Sequence, residues 1–220
     1  MHRLIAVDLP RTLPKLQLFQ EHCPLHKDLT QVLEAFAVSQ SELGYVQGMS
    51  FVAAVLMLHM SPLDAFICMS NLLSSHFFVS LFTLNIRECL KHIRIYELLF
   101  SKHLPNLYSF FQRLGVSPEH FLLDYFFTAF SRSLPLPVVT RVWDCFFLEG
   151  EVFLYRVALA LLKLYEPELL ECNLERIIPL LRRLPEDVSE ASLFTALEQI
   201  TVPHYIHQFI ERIVKTDAKE

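Results

Sequence analysis

Two short polar segments interrupt an otherwise apolar sequence, and each contains one side chain suited to chemistry. The first, residues 5–14, holds Arg11 between Pro10 and Pro14. Because the proline rings oppose a continuous helix and restrict the neighbouring backbone, we expect a stiffened loop to present the Arg11 guanidinium. Asp8 precedes Arg11 by three residues and could pair with it or orient it. An arginine in such a loop is more often merely solvated, so this segment alone does not define a site.

The second segment, residues 44–49, holds Gln47 directly before Gly48. Gly44 indicates the end of a helix, and the apolar run after Gln47 predicts the start of the next one. A glutamine at this position could equally cap the new helix. The segment therefore leaves two interpretations open, a cap or a side chain available for chemistry.

Metal and nucleotide sites find little support in the residue pattern. His22, Cys23 and His26 could supply three ligands on paper. Pro24 prevents the two histidines from sharing a continuous helical face, so we predict no metal site. Four glycines among 220 residues leave no Gly-rich phosphate loop. We therefore expect the chain to bind no nucleotide by itself.

Serine and cysteine nucleophiles are also disfavoured. Ser50 follows Gly48 but lacks the second glycine of a nucleophile elbow, so a small core-facing residue is the better interpretation. The five cysteines are widely spaced without a C-x-x-C motif, and Cys68 and Cys145 lie in apolar stretches rather than beside activating cations. We predict reduced, buried thiols in a cytosolic protein.

Apolar residues recur at helical spacing from Asp28 onward, and they predict an all-α fold. The clearest stripes predict amphipathic helices through residues 29–37 and 86–100 and a further stripe over residues 206–213. Residues 152–165 are apolar nearly all round and predict a central buried helix. No stretch shows sustained period-two alternation, so strands are not required. No flexible linker divides the sequence, so we predict a single irregular multi-helix domain over residues 1–220.

Charge and hydropathy narrow the choice of partners. Nineteen Lys and Arg residues against 24 Asp and Glu give a net charge of −5 without a basic run, which argues against nucleic acid. Residues 48–73 form the best candidate for a membrane span, but their first apolar run stops at His59, and Ser61 followed by Pro62 indicates a new helix start. Two short buried helices therefore fit better than a transmembrane span.

Taken together, the two polar segments resemble the paired signatures of TBC domains, the GTPase-activating domains that act on Rab GTPases. Residues 5–12 match the family pattern I-x-x-D-x-x-R-T, and residues 45–49 match Y-x-Q-G-M in the same order. A third match, R-V-W-D-C-F-F, lies at residues 141–147, and the similarity continues to about Pro185. On these motifs the chain is identified as a TBC-type domain.

The resemblance implies an all-helical, V-shaped domain whose groove receives the switch regions of a GTP-bound Rab. It assigns Arg11 as an arginine finger and Gln47 as a glutamine finger, both inserted in trans into the nucleotide site of the Rab. By the same resemblance, Asp8 orients Arg11, while Tyr45 and Gly48 hold the backbone of Gln47. GTP and Mg²⁺ belong to the Rab, so we expect no cofactor in this chain. It would be an activator rather than an autonomous hydrolase.

The resemblance also implies a role in vesicle trafficking, in the cytoplasm at the periphery of endomembranes, with membrane contact only through the Rab. TBC domains usually include further helices before the first motif, so we expect the N-terminal part to be missing or divergent here. Two other interpretations stay open: a catalytically weak Rab-binding adaptor on a TBC scaffold, and a helical scaffold unrelated to GTPases. Retention of both Arg11 and Gln47 favours the active form.

Overall fold

The computed structural model describes residues 2–83, 85–184 and 188–208, and all regular secondary structure in these ranges is helical. The predicted all-α class is confirmed. The described residues form two compact units. The first contains the residues up to Asn85 together with Phe127–Arg132, and the second contains Ile86–Phe126 and the residues from Ser133 onward. A single domain over residues 1–220 stays a prediction.

The first unit contains the two polar segments and the helices that position them. These helices are α1 (His2–Asp8), α2 (His26–Ser39), α3 (Met49–Met57), α4 (Pro62–Leu73) and α5 (His76–Phe82), with 3₁₀ turns at Leu9–Arg11 and Pro14–Leu16. The predicted stripe over residues 29–37 is buried along α2, which packs against α1, α3 and α4. Every residue of α3 is buried, so this helix is a fixed element directly after the second polar segment.

The apolar stretch over residues 48–73 forms two separate helices, as predicted. Ser61 caps α4 by accepting a hydrogen bond from the Asp64 N–H at 3.3 Å, and Pro62 occupies the first turn. No single helix among the described residues is long and apolar enough to cross a bilayer. In the part of the chain that the structure describes, α4 and α5 taken together reach that length and composition, and this pair is bent by 85°.

The remaining helices belong almost entirely to the second unit. They are α6 (Ile86–His103), α7 (Pro105–Leu114), α8 (Leu122–Phe127), α9 (Leu136–Glu149), α10 (Glu151–Leu164), α11 (Glu166–Glu171), α12 (Leu174–Arg182) and α13 (Glu190–Glu198). The predicted central helix is confirmed as α10, which packs against α6, α9, α11 and α13. The predicted stripe over residues 206–213 lies outside the described residues from residue 209 onward.

The prediction of buried thiols is only partly correct. Cys89 and Cys172 are buried, but Cys23 and Cys145 are half-buried and Cys68 is exposed. Cys68 lies on the outer side of α4, whose inner side buries Ala65 and Met69, and a locally apolar sequence does not reveal that orientation. Burial raises the pKa of the Cys89 and Cys145 thiols, which is the opposite of thiolate activation.

Candidate functional site

The segment that carries Arg11 leaves α1 through a tight turn. α1 ends at Asp8, and the 3₁₀ turn Leu9–Arg11 follows at once. Leu13 then adopts a left-handed conformation, with φ 43°, directly before Pro14. This region is uncommon for residues other than glycine, so the chain bends sharply here. The predicted break in the helix is confirmed, and the Arg11 side chain is 44% exposed at this bend.

Gln47 is exposed on the turn immediately before α3. The N-cap position of α3 is Gly48 rather than Gln47, so the alternative interpretation as a helix cap is not supported. Gly48 has φ +103°, which glycine adopts far more readily than other residues. A Cβ at this position would meet only ordinary contacts, the nearest to Thr128 Cγ2 at 3.6 Å. The backbone angle rather than crowding therefore requires glycine.

A buried carboxylate connects the two segments. The Asp8 side chain is 2% exposed, and both of its oxygens accept hydrogen bonds. Arg11 donates to Oδ1 through Nε at 2.7 Å and also through Nη2. The Tyr45 hydroxyl and the Gly48 N–H donate to Oδ2 at 2.5 and 3.2 Å. These contacts offset the cost of removing the Asp8 carboxylate from water.

The exposed ends of Arg11 and Gln47 contact each other. Hydrogen bonding of both groups is satisfied when the Gln47 amide oxygen faces the guanidinium. In that orientation Oε1 accepts from Nη1 at 3.2 Å and from Nη2 at 2.5 Å. Asp8 thus occupies the Nε edge of the guanidinium, and Gln47 occupies the Nη edge. The fold brings two segments that are distant in sequence into one polar cluster.

Tyr45 and Gly48 donate to Asp8, whereas the sequence-based expectation places them at the backbone of Gln47. Burial, followed by the hydrogen bond to Asp8, raises the pKa of the Tyr45 hydroxyl, and hydrogen bonding from Ser50 opposes that shift. The hydroxyl therefore stays protonated at neutral pH. It can act as a permanent donor to the Asp8 carboxylate.

A second contact between the segments lies beneath the surface and is absent from the sequence-based predictions. Thr12 Oγ1 donates to the Asp8 backbone oxygen at 2.8 Å and also lies 2.8 Å from Ser50 Oγ. Thr12 and Ser50 are both fully buried. The available signal was the presence of Ser50 within the otherwise apolar α3, because a buried hydroxyl requires a hydrogen-bond partner.

The histidines and cysteine that could supply a metal site on paper are not gathered around one point. Among the described residues, no three His, Cys, Asp or Glu side chains are grouped so as to hold a metal ion. His26 instead places Nδ1 2.8 Å from the backbone oxygen of Phe19. The polar cluster of Asp8, Arg11, Tyr45 and Gln47 is therefore the candidate site.

Comparison with known proteins connects this geometry to a family. A family model described as the Rab-GTPase-TBC domain matches residues 2–170. The chain belongs to the TBC domain family. The match includes both polar segments of this TBC domain and the first ten helices, so the identification made from the motifs is confirmed.

The relatives of this TBC domain agree with that assignment. TBC1 domain family member 12 of Mus musculus is 40% identical over 219 residues, covering 99% of this chain and 32% of the relative. TBC1 domain family member 14 of Homo sapiens is 40% identical over 197 residues, covering 90% of this chain and 28% of the relative. This chain thus spans about a third of the length of these curated relatives.

A solved structure supports the fold of this TBC domain independently. The crystal structure of the Chlamydomonas flagellar RabGAP TBC domain aligns with a TM-score of 0.73 at 25% identity. The alignment covers 89% of this chain and 66% of the Chlamydomonas chain. The predicted TBC-type helical fold is confirmed.

Proposed function

We propose that this TBC domain is a GTPase-activating domain that accelerates GTP hydrolysis by a GTP-bound Rab-family GTPase. The observation that carries the proposal is the position of two exposed side chains, Arg11 and Gln47, beside one buried carboxylate, that of Asp8. Family membership supports a Rab as the partner, and the related Chlamydomonas structure is described as a RabGAP domain.

Arg11 would supply positive charge to the nucleotide in the transition state. Hydrolysis of GTP places negative charge on the oxygens of the transferred γ-phosphoryl group, and an arginine supplied in trans accelerates it by about 10³- to 10⁵-fold. Asp8 accepts hydrogen bonds from Nε and Nη2, whereas the edge formed by Nη1 and Nη2 is the one that Gln47 contacts. Once Gln47 leaves it, the Nη1–Nη2 edge can contact two phosphate oxygens, which a lysine ammonium would do less well.

Gln47 would position the attacking water. An amide can accept a hydrogen bond from water and donate one to the γ-phosphate at the same time, and neither Glu nor Ala reproduces that combination. In the free chain the Gln47 oxygen occupies the Nη edge of Arg11. Docking on the nucleotide would therefore replace this internal contact, with phosphate taking the edge of Arg11 that Gln47 now occupies.

The same proposal assigns the remaining components of the reaction. GTP and Mg²⁺ would be carried by the Rab, and this chain would contribute side chains but no cofactor. It would act in the cytoplasm at the periphery of endomembranes, where it would contact the membrane through the Rab and regulate vesicle trafficking.

Single-turnover GTP hydrolysis by a panel of purified Rabs tests the proposal. The wild-type chain should stimulate one or a few Rabs, and Arg11→Ala and Gln47→Ala should each abolish most of that stimulation while the domain stays folded. Both side chains are exposed and outside the apolar core, so neither change should unfold the domain. GTP-dependent binding without stimulation by the wild-type chain would instead support a Rab-binding adaptor. Absence of both would overturn the proposal.

A further inference from the structure

Two buried hydroxyl groups connect the backbone beneath the candidate fingers. Thr12 directly follows Arg11, and Ser50 lies in the first turn of α3, three residues after Gln47. Their Oγ atoms are 2.8 Å apart although the residues are separated by 38 positions in the sequence. Thr12 also donates to the Asp8 backbone oxygen at 2.8 Å, so both ends of the turn that carries Arg11 are tied together.

We propose that Thr12 and Ser50 are positioning residues that set the placement of Arg11 relative to Gln47. The inference rests on the proposed function of these two side chains as fingers. Neither hydroxyl touches the nucleotide in this proposal, because both residues are fully buried beneath the polar cluster.

The hydroxyl pair and the Asp8 carboxylate perform different tasks. Asp8 holds the guanidinium of Arg11 through its side chain, and it receives the Tyr45 hydroxyl and the Gly48 N–H. The Thr12 contact acts on the backbone of the Arg11 turn and joins it to α3, every residue of which is buried. The buried helix α3 thereby holds the backbone of both the Arg11 segment and the Gln47 segment in place.

Loss of the contact between Thr12 and Ser50 should lower the rate of GTP hydrolysis within the bound complex more than it weakens binding to the Rab. Surface contacts with the Rab do not depend on two buried hydroxyls, whereas the alignment of both fingers does. Misplacement of a catalytic group by about 1 Å can lower a rate by about 100-fold. A partial loss of alignment from one missing hydrogen bond should fall below that limit.

The kinetic test uses Thr12→Val and Ser50→Ala in the full chain, acting on the Rab that the wild type stimulates most. The single-turnover rate constant at saturating activator should fall about tenfold in each, with the half-saturating concentration changed less than about twofold. Thr12→Ser keeps the hydroxyl and should stay within about twofold of wild type in both quantities.

Matched controls come from α2 of the same unit. Thr30 Oγ1 donates to the His26 oxygen at 2.8 Å, and Ser39 Oγ donates to the Phe36 oxygen at 2.9 Å, both within that helix. Thr30→Val and Ser39→Ala should retain the wild-type rate constant. Wild-type rates in folded Thr12→Val and Ser50→Ala would overturn the positioning role. So would equal losses in the controls, or a loss confined to the half-saturating concentration.

Amide hydrogen exchange separates this inference from the proposed function. Thr12→Val and Ser50→Ala should both increase exchange in residues 8–13 and 45–50 while leaving the later part of α2 unchanged, because the two segments lose their shared anchor. If the wild-type chain stimulates no Rab, the proposed function fails. Amide exchange then still tests whether the Thr12–Ser50 contact couples residues 8–13 to residues 45–50. Unchanged amide exchange in both variants would overturn the inferred coupling of the two segments.

Discussion

Replacing Asp8 with asparagine removes the charge that connects the two segments while keeping the shape of the side chain. The asparagine would have one acceptor oxygen. If that oxygen faces Tyr45 and Gly48, the new NH₂ group faces Arg11, and the two hydrogen bonds that Arg11 donates are lost. In the reverse orientation, the hydrogen bonds from Tyr45 and Gly48 are lost. Either orientation sacrifices two contacts at a side chain that is 2% exposed.

The expected cost follows from those two contacts. A hydrogen bond contributes about 0.5–1.5 kcal/mol net, and the half-exposed Arg11 is screened by solvent, so Asp8→Asn should lower the free energy of unfolding by about 2 kcal/mol. Loss of guanidinium orientation should lower the stimulated rate of GTP hydrolysis by about 10- to 100-fold. Urea unfolding followed by circular dichroism measures the first quantity, and single-turnover hydrolysis measures the second.

A surface ion pair of the same spacing provides the control. Arg141 donates to Asp144 at 2.8 Å, but these side chains are 50% and 55% exposed. Asp144→Asn should therefore leave the free energy of unfolding close to the wild-type value, because solvent screens this exposed pair. In an Arg11→Ala background, Asp8→Asn should lower the rate less than it does in the wild type, because part of its effect acts through Arg11. Equal stabilities and rates for Asp8→Asn and wild type would refute the role of Asp8 as the connecting acceptor.

Three further outcomes follow from the same geometry. Gln47→Glu should weaken binding to GTP-bound Rab about tenfold relative to Gln47→Ala, measured by calorimetric titration, because a carboxylate would hold the Nη edge of Arg11 more strongly than an amide; equal affinities would argue against that internal contact. Gly48→Ala should cost about 1–2 kcal/mol in urea unfolding because its φ of +103° is strained for alanine, and an unchanged midpoint would contradict this. The folded-state pKa of Tyr45 is raised, so its contribution to stability is fully present below the ordinary pKa of 10.0 and is lost as the pH rises from there toward the folded value. Tyr45→Phe should therefore reduce the loss of stability between about pH 9 and 11; identical pH profiles would exclude a contribution from this hydroxyl.

The helices were predictable from the sequence wherever apolar residues at helical spacing pack against the core. The stripe of α2 appears in the sequence because burial repeats every three to four residues, whereas α10 is apolar nearly all round because most of its surface is buried. Ser61 followed by Pro62 specifies the start of α4 through a local cap. The solvent exposure of individual side chains was less predictable. Cys68 is locally surrounded by apolar residues, yet it lies on the outer side of its helix.

The candidate site was predictable only in part. Arg11 and Gln47 came from paired motifs, and the spacing of Asp8 and Arg11 indicated a local pair. No local pattern shows that Tyr45 donates to the same carboxylate, since that contact joins residues 37 positions apart. The contact between Thr12 and Ser50 was unpredictable for the same reason, because tertiary packing rather than local preference brings the two hydroxyls together.

The most direct test of the account is the single-turnover rate constant of the most strongly stimulated Rab, measured with wild type, Arg11→Ala, Gln47→Ala and the double variant. Each single variant should lose at least about 100-fold of the stimulation, as removal of a charge-stabilising or water-positioning group requires. The double variant should be little worse than the poorer single variant, because the two groups act as one unit. Wild-type stimulation by folded Arg11→Ala and Gln47→Ala would contradict the assignment of both fingers.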